Sequence, residues 1–470
     1  MLQAAAPTPA SGSRSEWKRE IRATLGLAWP LAAANLLQML VWAIDVMFIA
    51  RLGTLPLAAA SLSFALFGTL MWALTGLTGM VSALIAAALG RGTGIVREVR
   101  RATRMALWLA VLSGGLLAAA MALGGEWFMQ LTGQDPRISA LAGDFLIVLG
   151  PAAIPMLICN VQRSYASALG RPVFATIVVG AQVALAALAN YALVFGHLGM
   201  PAMGMMGSAI ASSVTAWAGV LAYGALIRWD RNLGRYRIMG RFWNPDWQYF
   251  RRLAVLGAPV TLTIVAEGGL FNSAAFMIGH FGTDQLAAHT LALQLASFAF
   301  QVPFGVSQAA TIRVGYHYGA GDRAGIARAG WSAIAVGTGF MISTACLMIL
   351  APAALLSLYI DPAAPRYAAT VAYAVVYLRV AAAFQLFDGF QAVTAGSLRG
   401  LQDTRAPMLI ALFSFWVPGL AAMLLLGFAT PLQGLGVWIG LLVALVFVSA
   451  GLMWRWLRRE RLAPLAVPAA

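Results

Sequence analysis

Three carboxylic acids lie in the interior of long apolar runs: Asp45, Glu267 and Asp388. The other thirteen of the sixteen Asp and Glu residues fall in loops, tails or the ends of such runs. An ionisable side chain costs about 2.5 to 3.5 kcal/mol at the centre of a bilayer, so it usually faces a cavity and serves a function. Carboxylates brought together there repel each other until a proton or a sodium ion neutralises one of them. We therefore predict that these acids bind a cation; the alternative is a neutral acid that hydrogen-bonds a Ser, Thr or Gln.

Polar side chains accompany the acids on the same helix faces. Gln38 lies two turns before Asp45, and Asp388 has Gln385 three residues before it and Gln391 three residues after it. At 100° per residue, such spacing places the side chains on one side of a helix. The eighth apolar run carries a similar polar face, formed by Gln294, Ser297, Gln301 and Gln308. We predict that a cavity for substrate or ion is lined by Gln38, Asn190, Gln294, Gln301, Gln385 and Gln391.

Membrane helices must position these side chains. Of the 470 residues, 61% are hydrophobic and 10% charged, which excludes an ordinary soluble protein. A membrane span needs about 20 apolar residues. Twelve apolar runs satisfy this length, at 24–50, 56–89, 105–123, 140–168, 172–195, 203–227, 253–279, 286–318, 328–358, 367–398, 406–429 and 434–455. The fold class is therefore an all-α polytopic membrane protein.

The two halves of the chain form an internal repeat. When the second half is aligned on the first, six residues match in one register across six helices: Pro30 with Pro259, Gly53 with Gly282, Gly90 with Gly319, Ser167 with Ser397, Gly170 with Gly400, and Gly207 with Gly436. Six spans per half make the repeats parallel, with a substrate expected in the cleft between them. We predict an N-terminal tail (1–22), two six-helix lobes (23–227 and 253–457), a basic linker (228–252) and a C-terminal tail (458–470).

The positive charges indicate topology. The net charge is +15, and 27 of the 31 Lys and Arg residues fall on one side of the membrane if both termini are placed inside. This is the positive-inside pattern, with added attraction to anionic lipid headgroups, so nucleic acid is not an expected partner. Arg379 lies within the tenth run, on the face opposite Asp388, and has no assigned role.

Motifs for other chemistry are absent from the sequence. The four His residues are scattered, the two Cys residues are isolated, and there is no HExxH, nucleophile elbow or Cys/His metal spacing. A phosphate-binding G-x-x-x-x-G-K-[ST] motif is also absent. We therefore expect no enzyme activity, no resident metal or cofactor, and coupling to an ion gradient. An intramembrane enzyme that uses bare carboxyls is a distant alternative.

Four stretches then carry a resemblance to a known family. They are IDVMFIARLG at 44–53, AAHTLALQ at 287–294, RVGYHYGAGD at 313–322 and AGSLRGLQDT at 395–404. With them, the chain from about residue 22 to 455 resembles the multidrug and toxic compound extrusion (MATE) family, in its bacterial NorM-like branch.

The resemblance implies an antiporter in the bacterial inner membrane that exports organic, often cationic, drugs against an inward flow of protons or sodium. It implies that Asp45 binds the coupling ion in the N-terminal lobe, and that Glu267 and Asp388 form the cation site of the C-terminal lobe. The expected partners are small organic molecules and the lipid bilayer, and the expected state is a monomer.

The chain departs from the family pattern near these acids. Asn190 matches the second of two family asparagines near the N-lobe acid, but the first falls on Ala186. A tyrosine that is frequent in the family one turn before the helix 10 acid is replaced by Phe384. Sodium prefers several oxygen ligands, so these losses favour protons.

Three alternatives remain open at this point. The major facilitator superfamily shares the layout of six plus six helices, but its D-R-x-G-R-like signature is absent from GRGTGIVREVRRATR at 90–104. A flippase of a lipid-linked amphiphile would have a strongly cationic cavity, whereas the buried charges here are mostly acidic. A receptor or assembly factor would not need acids in both lobes.

Overall fold

A computed structural model describes residues 14–238, 240 and 242–462. In this part the chain forms α-helices joined by turns, and twelve helices are long and apolar enough to cross a membrane. They are Arg14–Ala50 (α1), Thr54–Arg91 (α2), Ile95–Leu131 (α3), Pro136–Ala168 (α4), Val173–Phe195 (α5), Gly204–Trp229 (α6), Trp247–Gly279 (α7), Thr283–Gly319 (α8), Arg323–Leu350 (α9), Pro365–Gly400 (α10), Arg405–Phe428 (α11) and Gly434–Leu457 (α12). A chain in hydrocarbon must satisfy its own backbone hydrogen bonds, which helices do. The predicted fold class is confirmed.

Some of these helices contain irregular turns. α2 is divided at Met80. In α4, Pro151 lies in a 3₁₀ turn, Gly150–Ala152, and in α11, Pro418 lies in a π-helical turn, Phe415–Gly419. Proline has no backbone N–H to donate within a helix, so the hydrogen-bond ladder shifts at both places. Short helices outside the spans are Arg231–Gly234, Pro352–Leu356 and Arg459–Leu462.

The helices extend beyond the predicted apolar runs. α1 begins at Arg14, inside the predicted tail 1–22, and α6 and α7 reach Trp229 and Trp247, inside the predicted linker 228–252. Hydropathy marks only the lipid-embedded part of a helix, whereas the backbone ladder continues into its polar ends. The described residues leave out 1–13 of the N-terminal tail and 463–470 of the C-terminal tail.

Contacts divide the chain into two compact units. The N-unit is Ala33–Thr261, and the C-unit consists of the described residues up to Ala32 together with those from Leu262 onward. The boundaries lie inside α1 and α7, at positions that the alignment of Pro30 with Pro259 makes equivalent, which is consistent with the repeat in the sequence. They differ from the predicted lobes 23–227 and 253–457, because the first part of α1 packs with the C-unit and the first part of α7 with the N-unit.

Repeat-related glycines have matching backbone conformations. Gly53 and Gly282 precede α2 and α8 with φ angles of 116° and 118°. Glycine reaches this region without the steric cost that a Cβ atom imposes. A Cβ atom on Gly207 would lie 2.4 Å from the carbonyl oxygen of Leu193, and one on Gly436 would lie 2.2 Å from that of Leu426. The last two helices of each half therefore approach backbone to backbone, as small residues allow in membrane proteins.

Ion pairs hold the polar helix ends within each unit. In the C-unit, Nε and Nη2 of Arg313 on α8 donate to the carboxylate of Glu20 on α1 at 2.7 and 2.6 Å. In the N-unit, Arg101 on α3 donates to Asp246, which precedes α7. This hydrogen bond holds the pKa of Asp246 below its usual value.

Candidate functional site

The N-unit buries one acid between three helices. Oδ1 of Asp45 on α1 accepts a hydrogen bond from Nδ2 of Asn190 on α5, and Oδ2 accepts one from Oγ of Ser212 on α6, both at 2.7 Å. The three side chains are 2%, 0% and 4% exposed, respectively. Both donors are neutral, so each carboxylate oxygen has a partner but the negative charge is not balanced by either of them.

The fold holds these partners in place. Nδ2 of Asn190 also donates to the carbonyl oxygen of Ala186 at 2.9 Å, which fixes the amide to its own helix. The close approach of α6 to α5 at Gly207 brings the following turn of α6, with Ser212, against Asp45. The packing of α6 on α5 therefore requires a small residue at position 207.

The C-unit brings the other two acids together. Nε2 of Gln391 on α10 donates to Oε1 of Glu267 on α7 at 2.9 Å and to Oδ1 of Asp388 at 3.3 Å. Both carboxylates are thus within reach of one amide nitrogen. Asp388 and Gln391 are 7% and 4% exposed, and Glu267 is half-buried. Like charges this close repel each other in an apolar interior, so the pair is suited to take up a proton or a cation.

The remaining predicted cavity residues do not contact these acids through the hydrogen bonds observed. Nε2 of Gln301 donates to the carbonyl oxygen of Ser297 on its own helix, at 3.2 Å. Nε2 of Gln385 donates to Oγ1 of Thr344 on α9, at 3.0 Å. Gln38 is half-buried on α1, and the side chains of Gln294 and Arg379 are exposed. A substrate role for the glutamines stays a prediction.

The sequence reasoning missed two polar residues inside the N-unit. Ser212 belongs to a row of buried hydroxyls on α6, together with Ser208 and Thr215, and that spacing was the available signal. Arg163 on α4 donates to Oδ1 of Asn35 on α1 at 3.0 Å. Counting it among the basic residues near loops had obscured its place inside the N-unit.

Comparison with known proteins agrees with this architecture. The family model described as MatE matches residues 30–192 and 259–423. Its two segments start at Pro30 and Pro259, the first pair of residues that the repeat aligns. The probable multidrug resistance protein NorM of Mesorhizobium japonicum is 44% identical over 449 residues, which cover 95% of this chain and 96% of that protein. The protein of the same name from Brucella suis is 39% identical over 98% of both chains.

Solved structures show the same fold. The eukaryotic MATE transporter AtDTX14 superposes with a TM-score of 0.83 at 19% identity, over 94% of this chain and 96% of that one. A mutant of the Vibrio cholerae MATE transporter VcmN superposes with a TM-score of 0.86 at 17% identity, over 96% of this chain and 99% of that one. With the family model matching most of the chain and relatives well above 30% identity over nearly its whole length, the chain belongs to the MATE family of membrane transporters, in its NorM-like branch.

Proposed function

We propose that this transporter is a secondary antiporter that exports organic, cationic drugs or toxic compounds, coupled to an inward flow of protons or sodium. The observation that carries the proposal is a buried acid site in each unit whose hydrogen-bond donors are neutral: Asn190 and Ser212 at Asp45, and Gln391 at Glu267 and Asp388. Neutral donors stabilise a buried carboxylate only in part. A proton, a metal cation or a cationic substrate supplies the missing positive charge.

The same charges select the cargo. An organic cation is attracted by a buried carboxylate and by the faces of nearby aromatic rings. Trp42 lies one turn before Asp45 on α1 and packs edge-on against Phe64, with ring centroids 5.5 Å apart. Relatives of this chain are named multidrug resistance proteins, which fits cargo recognised by charge and apolar surface more than by shape.

Protons fit the N-unit site better than sodium. Asn190 and Ser212 both direct donor hydrogens at Asp45, and a sodium ion would have to displace them to reach the carboxylate. Ala186 stands where the family has the first of its two asparagines, and it contributes only its backbone carbonyl, which accepts from Asn190. Oδ1 of Asn190 has no hydrogen-bond partner in the part of the chain described, so a turned amide can accept from a protonated Asp45.

Competition for negative charge then couples the two flows. The outward-facing state takes up the coupling ion at Asp45, or at Glu267 with Asp388, and neutralisation lowers the cost of rearranging buried helices. Substrate leaves as the ion arrives, and the ion-free acids bind the next substrate from the inside. In this proposal the protein acts as a monomer in the bacterial inner membrane with both termini in the cytoplasm, and the six-helix lobes 23–227 and 253–457 alternate access.

Reconstituted efflux tests the proposal. Liposomes that contain the full-length protein are loaded with a fluorescent organic cation. Export is then driven by a proton gradient or by a sodium gradient, in separate experiments. Export under one gradient, collapsed by the matching ionophore, is the expected result. Absence of gradient-driven export under both conditions, in protein that is folded by its thermal unfolding curve, would contradict it.

A lipid-linked amphiphile is the second candidate cargo. The half-buried Arg163, which donates to Asn35, is the observation in favour, because an anionic headgroup binds a guanidinium. Translocation of a fluorescent polyprenyl phosphate analogue in the same liposomes, without export of the organic cation, would support this candidate. The family match leaves the major facilitator alternative without support.

A further inference from the structure

Arg399 points into the C-unit although it lies at the end of a helix. It is the residue before Gly400, with which α10 ends, and its Nη2 donates to Oγ of Ser307 on α8 at 2.7 Å. Side chains on a helix lean toward the N-terminus of that helix. On α10 that is the direction of Gln391 and Asp388, so Arg399 reaches back toward the acids. A basic residue in this position could instead extend to the aqueous surface.

The backbone around Arg399 is built to hold it there. A Cβ atom on Gly396 would lie 2.4 Å from Oγ of Ser307, and one on Gly400 would lie 3.0 Å from the carbonyl oxygen of Thr311. α8 and α10 are therefore in backbone contact through two glycines four residues apart. Oγ of Ser307 also donates to the carbonyl oxygen of Ala392, at 2.6 Å, which sets the orientation of its lone pairs for Arg399.

Arg399 and the acid pair are held at neighbouring residues of α10. Ser307, to which Arg399 donates, itself donates to the carbonyl oxygen of Ala392, and the preceding residue, Gln391, donates to Glu267 and Asp388. A guanidinium stays protonated in proteins, and the C-terminal end of α10 favours a cation further. Two carboxylates and one guanidinium leave one excess negative charge, which a single proton or monovalent cation balances.

We propose that Arg399 is a positioning residue of the coupling-ion site: an internal cation, held by Ser307, that offsets part of the negative charge of Glu267 and Asp388 and so weakens the binding of the coupling ion. The inference rests on the proposed function, in which Glu267 and Asp388 bind that ion. Weaker binding would help the transport cycle, because an ion bound too tightly by two buried carboxylates would not be released on the cytoplasmic side.

Removing the charge of Arg399 should strengthen the binding of the coupling ion. In liposomes containing the full-length protein, Arg399→Gln is expected to lower the half-saturating concentration of the driving ion, proton or sodium, by about three- to tenfold. Arg399→Lys keeps a positive charge and is expected to stay within about twofold of the wild type. The matched control is Arg405→Gln, which removes a charge from the exposed first turn of α11 and should leave the value unchanged. A purely structural role would lower the maximal rate without this shift in ion affinity.

Two further variants, Ser307→Ala and Glu267→Gln, complete the test. If Arg399→Gln does not fold, Ser307→Ala releases the guanidinium without removing it, and it is expected to shift the half-saturating concentration in the same direction. An unchanged or higher value in whichever of the two folds would overturn the inference. Glu267→Gln separates this result from the parent proposal. If it leaves the ion dependence of export unchanged, the C-unit acids are not the coupling site; if it changes the ion dependence and Arg399→Gln does not, only the role of Arg399 fails.

Discussion

Replacement of Ser212 by alanine is the sharpest test of the N-unit site. The hydroxyl donates to Oδ2 of Asp45 at 2.7 Å and is 4% exposed, so water does not readily take its place. Ser212→Ala removes this donor and leaves Asn190 as the other observed partner of the carboxylate. The change creates a void no larger than a hydroxyl group, and the helix itself is not disturbed.

The expected magnitude comes from that one hydrogen bond. A hydrogen bond to a charged group contributes about 1.5 to 3 kcal/mol, and the ionised form of Asp45 needs it more than the protonated form does. Each 1.4 kcal/mol changes an equilibrium constant about tenfold. Ser212→Ala should therefore lower the proton concentration for half-maximal export by about ten- to hundredfold, which moves the pH profile of export by about one to two units toward alkaline pH.

The assay is export of a fluorescent cation from liposomes as a function of external pH at a fixed gradient. Ser208→Ala is the matched control, because Ser208 lies one turn away on α6, is equally buried, and has no hydrogen-bond partner for its Oγ within the described residues. The control should follow the wild-type profile. A profile for Ser212→Ala that coincides with that of the control would refute the assignment of Asp45 as a proton-binding group stabilised by Ser212.

Three further predictions concern the acids, an ion pair and the helix packing. Asp45→Asn and Asp388→Asn should each abolish drug resistance in an efflux-deficient host at normal expression on immunoblots, and full resistance in both would contradict the proposed roles. Glu20→Gln leaves its arginine partner on α8 without a carboxylate. Breaking a buried ion pair costs about 3 to 5 kcal/mol in the free energy of unfolding, so the purified variant should unfold at a lower temperature than the wild type. Gly436→Ala forces a Cβ atom against a carbonyl 2.2 Å away and should cost about 1 to 3 kcal/mol, whereas Gly115→Ala, with no atom within 4 Å, should unfold at or slightly above the wild-type temperature because alanine favours a helix over glycine.

The membrane architecture could be predicted from the sequence because a chain that crosses hydrocarbon as helices needs long apolar segments. Long uncharged runs predicted twelve spans, and the described residues contain twelve helices of matching order. The helix ends were less accurate. Arg14 and Trp229 continue helices into segments predicted as tail and linker, since polar residues do not end a backbone ladder. The division into units at Ala32 and Thr261 depends on contacts between distant helices, which composition does not encode.

The acids of the candidate site could be predicted from the sequence, but most of their hydrogen-bond partners could not. A carboxylate in an apolar run is conspicuous because burying it is costly, so Asp45, Glu267 and Asp388 were evident from position alone. Ser212 was not, because serine is frequent in membrane helices and its importance comes from an acid on another helix, far away along the chain. The inward direction of Arg399 was not evident either, because its place near a helix end is compatible with a side chain that turns outward or inward, and the contact with α8 decides between them.

The internal repeat preserves the scaffold and not the chemistry. In the alignment that pairs Pro30 with Pro259, Asp45 corresponds to Ala274, and Glu267 corresponds to Gln38. The acids therefore occupy different positions along equivalent helices, seven residues apart in the alignment, which is two helical turns or about 10 Å of helix. Their surroundings differ as well, with hydroxyl and amide donors at Asp45 and, at Glu267, an amide that is shared with a second carboxylate. Two sites that differ in their position along the helix, in charge and in partners cannot substitute for one another, which is why loss of the acid in either unit is expected to stop export.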